Sequence, residues 1–370
     1  MNARDESLIV LALNWARAFD SISPERLIDA LERFGLPGHF VEMVGAIYSN
    51  RAFFVNECCV DSSVGGQAFG ISQGCPLSPY LFVILMSVIM TDVHQNLQDV
   101  HGINLSMECI SELLYADDTL IVGAHPQTVE KQLQCIVEIG REYGMEMNWQ
   151  KVEMMTAKCE SHLSRPDGNA INRKMSLVYL GALVGADGGS ESELARRIGL
   201  AQAEFNKLQH VWGHSSLTGA EKYEIYVTCV VSRLLYGLQT MVFGKAARQK
   251  LDGFHARCAR KIAGIQPSYW SRISNTKVLE ALGARTLTSM LLEQQLSFFG
   301  KLARRPMHCP VRQLVFEPDL SMKMVTFDRR RGRPKLEWSH ELHKIADEMF
   351  ESAANFRACV ACDGMARICT

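Results

Sequence analysis

The sequence has no apolar stretch long enough to cross a bilayer. Its longest run, residues 81–90 (LFVILMSVIM), falls well short of the ~20 residues a spanning helix requires, and reads as a buried helix with no membrane partner. No basic-then-apolar leader with a small-residue cleavage site opens the chain. Residues 1–7 (MNARDES) are polar and run straight into a strand-like segment, so secretion is not expected. The 12 cysteines lack a repeating spacing, which argues against a disulfide framework and for reduced thiols in an intracellular protein. Cys58 and Cys59 read as small hydrophobes. Cys359 and Cys362 have the spacing that could begin a zinc site, but the nearest companion is Cys369 and no His follows at ligand spacing. There is no internal repeat, and no overall excess of one charge, the net being −1.

What the chain does have is length and an uneven distribution of that charge. With 370 residues, 47% of them hydrophobic and 21% charged, it can bury enough apolar surface to offset its ordering entropy, and its size fits two or three packed units. Residues 245–335 hold 19 Lys and Arg against 6 Asp and Glu, a net of +13, leaving −14 for the rest. Positive charge concentrated on that scale suits a polyanion such as a nucleic-acid backbone, although solvated helix faces would give the same count.

Patterning predicts an α+β first half. Residues 7–13 (SLIVLAL) form an unbroken apolar run of strand length, expected to be covered on both faces, with Asn14 at its end. Ser23 is placed to cap a helix with Pro24 at its first position, Leu27, Ile28 and Leu31 on one face and Gly35 as its stop. A second helix, opened by Pro37, runs to about Tyr48. Residues 51–60 are β-rich, and the Gly/Ser/Pro-rich loop 65–79 feeds an apolar helix over 80–97. Two apolar runs within 110–122, joined by Ala116-Asp117-Asp118, predict a hairpin with charged residues at its tip. A helix opened by Pro126 runs to about Tyr143, and short strands at 145–155 and 177–184 close the unit near Gly189. Beyond it the period is helical, most clearly over 191–211, 218–243 and 246–264. Residues 327–334 (FDRRRGRP) form a charged, Gly/Pro-broken linker before an amphipathic helix at 335–350. The expected domains are 1–188, 189–265 and 266–370.

Two adjacent carboxylates between apolar runs repel each other, and neither Asp117 nor Asp118 has a local cation in the sequence. Neighbouring side chains on a strand point to opposite faces, so a hairpin tip is needed for both to approach one point. A divalent cation is a natural occupant, because Mg²⁺ takes a few carboxylates plus water and phosphate oxygens. An Asp-rich turn would give the same dipeptide.

The flanking residues add to this. Tyr115-Ala116-Asp117-Asp118 resembles the palm hairpin of reverse transcriptases, and four further blocks follow the family's order. Residues 13–20 (LNWARAFD) resemble the first palm block, and residues 69–79 (FGISQGCPLSP) the block that lines template and nucleotide. Tyr143-Gly144-Met145 with Asn148 and Lys151 resembles the fourth block, and Tyr179-Leu180-Gly181 the primer grip. Residues 234–237 (LLYG), 257–262 (RCARKI) and 331–335 (RGRPK) resemble C-terminal segments of non-LTR, LINE-type elements. The resemblance, which spans roughly residues 8–345, implies a reverse-transcriptase palm, an antiparallel sheet with helices on one face, followed by a mostly helical thumb and C-terminal region.

It also implies an RNA-directed DNA polymerase that takes an RNA template, a DNA primer or target, and deoxynucleoside triphosphates, with two Mg²⁺ ions (or Mn²⁺) as cofactors. Asp117, Asp118 and Asn14 fall at the metal-ligand positions, with the Trp15 carbonyl as a further oxygen. Phe19 falls where an aromatic excludes the 2′-hydroxyl, a position that ordinary core packing would also fill. Gln73 and Gly74 allow close approach to template base and nucleotide, and Tyr115 belongs to the same nucleotide-facing group. Lys151 could protonate or steady the pyrophosphate, or simply face solvent. Arg257, Arg260, Lys261, Arg329, Arg330, Arg331, Arg333 and Lys335 are the expected backbone contacts. A nuclear location follows from the family's mode of action, and residues 329–335 (RRRGRPK) suit an import patch.

The chain departs from the family at Asn14, where the first metal-binding Asp is expected. An amide oxygen can ligate a cation but brings no negative charge to offset the repulsion between two metal ions. The family's fingers lie before the first palm block, where only about a dozen residues stand here, so truncated fingers are expected. No upstream endonuclease and no RNase H pattern of spaced acids is evident. Three readings compete: an active polymerase, a polymerase-dead remnant that only binds nucleic acid, and a helical scaffold that would make all five blocks coincidence.

Overall fold

Ile9, Leu11 and Leu13 alternate along the first strand, Leu8–Leu13, and all three are buried. In a strand such residues share a face, and here that face meets the helices. Val10, on the opposite face, is buried as well, as the unbroken apolar run predicts. Leu11 pairs with Ile121 on one side and Met154 on the other, which makes one apolar rung across three antiparallel strands. The sheet has five strands in the order Asn172–Lys174, Glu153–Ala157, Leu8–Leu13, Asp118–Gly123, Glu112–Tyr115. The edge strand Asn172–Lys174 is parallel to its neighbour. The computed structural model describes residues 7–57, 60–105, 110–323 and 337–350, and it separates into two compact units between Leu180 and Gly181.

Three helices cover the rung. Pro24–Phe34 buries Leu27, Ala30 and Leu31 and stops at Gly35, whose φ of 90° only glycine adopts without strain. Ser23 stands at its N-cap position but its hydroxyl makes no capping bond, a correction to the sequence expectation. Its backbone is used instead, with Ser23 N–H donating to the Tyr143 carbonyl. Ser78–His101 is 24 residues long, well past the 80–97 expected, because its polar second half stays helical until Gly102 at φ 62°. By length and composition it could cross a membrane, yet Leu81, Phe82, Leu85, Ile89, Val93 and Leu97 lie in the core of this unit. Pro126–Glu142 packs beside it. Arg33 pairs with Asp92, and the Tyr143 hydroxyl donates to the same carboxylate at 3.0 Å. Burial and Asp92 push the Tyr143 phenol up to about 12.

The second unit is helical and holds two apolar clusters. Glu191–Lys207, Gly219–Tyr226 and Lys245–Ile262 build the larger one, and Leu287–Ala303 contributes residues to both. The larger cluster therefore runs past residue 265 to Leu291. The expected helix over 218–243 is interrupted. It passes through a π-helical segment, Val227–Val231, and ends at Leu235, because Gly237 takes a φ of 79°. The capping box at its start is complete, with Thr218 and Glu221 bonded reciprocally. Cys58, Cys59, Cys359, Cys362, Cys369 and the linker 327–334 lie outside the described residues.

Candidate active site

The hairpin that the sequence predicts is present. Its strands Glu112–Tyr115 and Asp118–Gly123 pair through Tyr115 and Asp118, leaving Ala116 and Asp117 as the turn. Ala116 takes a φ of 51°, a strained choice for a residue with a Cβ. Leu13 pairs with Thr119 as the last pair of that ladder, so Asn14 directly follows it on one strand and Asp118 directly precedes it on the other. Asn14 and both aspartates are half-buried. Burial, and then the charge of Asp117, push the Asp118 carboxyl above its usual range. Among the described residues no group of three or more His, Cys, Asp or Glu is assembled that could hold a metal. Asp117 and Asp118 are the carboxylates at the hairpin tip, and Asn14 directly follows the neighbouring strand with an amide.

Two further segments reach the same place. Asn148 N–H donates to the Asn14 carbonyl at 2.8 Å, and Lys151 N–H to the Asn148 carbonyl at 3.0 Å, so the turn bearing the exposed Lys151 folds back onto the end of the first strand. The Tyr179 hydroxyl donates to the Leu113 carbonyl at 3.3 Å, and its phenol is pushed up by burial and by the charge of Asp118. Tyr115 is 65% exposed. Leu180 and Gly181, the rest of the expected grip, both take left-handed backbone, at φ 47° and 75°.

A second arc joins Phe19 to the loop 69–79. Ile71 N–H donates to the Phe19 carbonyl at 2.6 Å, and Gly70 N–H to the Ile22 carbonyl at 2.8 Å. Gly70 is required here. A Cβ on it would sit 2.8 Å from the Asp20 Cα and 2.9 Å from the Phe19 carbonyl oxygen, and its φ is 87°. Gln73 is exposed and donates to the Asp20 carboxylate at 3.0 Å, while Gly74 takes a φ of 88°. The Phe19 ring stacks on Phe82, centroids 4.4 Å apart. The Trp15 ring is buried against Gly140, and the Trp15 backbone pairs with Met147.

Sequence reasoning missed Arg51, whose guanidinium donates to the Gly70 carbonyl at 2.6 Å and lies 4.6 Å from the centre of the Tyr48 ring. A lone Arg after a helix carries no signal of that role. It also missed Glu193, fully buried, which accepts from Arg196 at 2.8 Å, Arg197 at 2.6 Å and Leu183 N–H at 3.1 Å. The Glu193–Arg197 spacing of one helical turn was the available clue. Both arginines also donate to the Gly181 carbonyl.

Of the basic residues expected at nucleic-acid backbone, Arg257 and Lys261 are exposed. Arg260 is not available for that role. It is 7% exposed, and its guanidinium is bonded to Gln266, Ser271, Ile273 and Asn275, because it faces the loop after its helix. Arg329, Arg330, Arg331, Arg333 and Lys335 lie outside the described residues.

Residues 1–184 match the reverse transcriptase (RNA-dependent DNA polymerase) family. The Pol polyprotein of a type-1 R2 retrotransposable element from Popillia japonica is 25% identical over 286 residues, covering 73% of this chain and 45% of that protein. Its counterpart in Nasonia vitripennis is 28% identical over 163 residues, covering 44% and 15%. A transposon-derived protein of Caenorhabditis elegans is 27% identical, covering 45% and 59%. The chain thus spans less than two thirds of each of these relatives. Among solved structures, Candida tropicalis telomerase with a fragment of telomeric RNA aligns at 14% identity and a TM-score of 0.39, covering 80% of this chain and 47% of that one. Residues 1–184 thus match the reverse transcriptase family, and the R2 relatives support a reverse transcriptase of the non-LTR, LINE-type kind.

Proposed function

We propose that this chain extends a primer 3′-hydroxyl with deoxynucleotides on an RNA template, its palm serving as the catalytic unit. The observation that carries the reading is the ladder that ends at Leu13 and Thr119, with Asn14 next after Leu13, Asp118 next before Thr119, and Asp117 in the adjoining turn. A pair of Mg²⁺ ions (or Mn²⁺) held by Asp117, Asp118, the Asn14 side-chain oxygen and the Trp15 carbonyl would activate the primer hydroxyl and neutralise the triphosphate.

The chain's own groups divide the remaining work. Phe19, fixed by its stack on Phe82, presents bulk where a ribose 2′-hydroxyl would sit. Gln73 and Gly74 present amide and bare backbone to base and nucleotide, held in place by the Gly70 contact with Phe19 and Asp20. Lys151 offers an ammonium to the leaving pyrophosphate. Tyr115 lies toward the nucleotide, and Tyr179, Leu180 and Gly181 hold the primer. Arg257 and Lys261 meet phosphates, and work on genomic DNA sets the protein in the nucleus.

Asn14 favours a second reading, in which the palm persists as a fold and the protein only binds nucleic acid. Two carboxylates offset the charge of two divalent ions less well than three. The test is primer extension on a primed RNA template with Mg²⁺, the parent chain beside an Asn14→Asp version. Extension by the parent supports the first reading. Extension by the Asp version alone supports the second, and extension by neither removes the polymerase reading for this chain.

A further inference from the structure

Large rings left in water on a folded surface call for a partner. Tyr269 and Trp270, on the short helix Ser268–Ser271, are 75% and 74% exposed and stand edge to face with centroids 5.3 Å apart. The segment that carries them is firmly tied down. Arg260 donates to the Gln266 carbonyl at 3.1 Å, the Ser271 hydroxyl at 3.3 Å, the Ile273 carbonyl at 2.6 Å and the Asn275 side-chain oxygen at 2.9 Å. Trp270 N–H closes the turn onto the Pro267 carbonyl at 2.9 Å. One buried guanidinium thus fixes both ends of the loop, so the backbone that carries the rings is ordered before any ligand arrives, and binding is spared that part of the entropy.

The charge around them has one sign. From residue 253 to residue 279 there is no Asp or Glu, while Arg257, Lys261, Arg272 and Lys277 are exposed. The flanking acids are Asp252, which accepts from Thr288, and Glu280 beyond Lys277. A protein surface of mixed charge has no need of such uniformity. A strand of unpaired nucleotides, with a phosphate and a flat base at each step, does.

We infer that Tyr269 and Trp270 form a stacking platform for unpaired bases of a single-stranded nucleic acid, whose phosphates run along Arg257, Lys261, Arg272 and Lys277. This deepens the reading of residues 245–335 as nucleic-acid-facing and rests on it. Base-on-ring stacking is sequence-tolerant and contributes about tenfold or more in affinity per base, whereas a base pair inside a duplex offers no free face.

The full chain is titrated against labelled oligouridylate and oligothymidylate of about 16 nucleotides and a blunt duplex of equal length. Tyr269→Ala/Trp270→Ala is expected to weaken single-strand binding about tenfold or more and duplex binding less than about twofold. Single strands should quench the parent's tryptophan fluorescence, and Trp270→Phe should bind while losing most of that quench. Arg272→Gln/Lys277→Gln should weaken single strand and duplex alike. The two oligonucleotides report whether RNA or DNA is preferred. If the ring variant binds single strands as the parent does while the charge variant is weakened, stacking is wrong and the nucleic-acid reading stands. Equal weakening of duplex and single strand by the ring variant also overturns stacking. If neither variant changes any affinity, both ideas fall. Thermal melts matching the parent show that the variants fold, since the Arg260 bonds are untouched.

Discussion

The two halves of this protein carry opposite charge. Residues 1–180 have 12 Lys and Arg against 22 Asp and Glu, and residues 181–370 have 27 against 18. The half that holds the carboxylate pair is thus acidic, at −10, and on the proposed reading would need cations to receive a triphosphate. The other, at +9, brings its counter-charge with it. The contrast teaches that, on the proposed function, chemistry and grip would be separable properties. One should respond to divalent ions and to single atoms at Asn14, the other to bulk salt.

The sharpest way to break that comparison is Asn14→Asp. It should raise primer extension by roughly 10²-fold to 10⁴-fold, as for other electrostatic groups at reacting centres, and leave nucleic-acid affinity within about twofold. Single-turnover extension and anisotropy on one preparation measure both; Asp117→Asn added to it should abolish the gain. If binding moves as much as extension, the halves are not separable.

Next in size, Glu193→Ala should destabilise the helical half by about 3 to 5 kcal/mol, because Arg197 is left buried without its partner. Denaturant unfolding followed by Trp212, buried in that half, reports it. Replacement of both Glu193 and Arg197 by apolar residues should recover much of the loss. Raising salt from about 50 to about 200 mM should weaken nucleic-acid binding at least about tenfold. Lys261→Gln should make that slope shallower, and a slope unchanged in the variant would remove Lys261 from the phosphate track.

The smallest effect is a pH dependence confined to the helical half. Fully buried His255 donates from Nε2 to the Arg285 carbonyl and accepts from the Tyr226 hydroxyl at Nδ1, so it is held neutral. Burial lowers its pKa below the ordinary value. The unfolded chain therefore takes up the proton first. Stability is full above about pH 6.5 and declines as pH falls from there toward the folded value. Melts at about pH 7.5 and pH 5.5 should show the drop, and His255→Gln should flatten it. A parent melt equal at both values would contradict the neutral assignment.

What the sequence disclosed was mostly periodic or local. The first strand, the hairpin with its acidic turn, and Gly35 as a helix stop rest on neighbours in the chain, and each is found. Positions set by distant partners were not legible. The edge strand Asn172–Lys174 has a polar sequence without strand propensity and exists because Glu153–Ala157 offers it a ladder. Arg260 reads as one more positive charge until its burial is known. The helix over 218–243 has an apolar period throughout, and only the backbone at Gly237 shows where it stops. At the site, the resemblance to family blocks implied that Phe19 and the loop 69–79 belong together, but not that they meet backbone to backbone through Gly70.

That meeting restricts how the protein can change over time. Where two segments touch through a missing side chain, no tolerated intermediate exists at the glycine: even one methyl would collide with main-chain atoms, which cannot swing aside as a flexible side chain can. Gly70 and the turn at Phe19–Asp20 are therefore bound to drift as a pair. A lineage that alters the packing at this junction has to do so through the ring at position 19 or its stacking neighbour Phe82, where bulk can be traded in small steps.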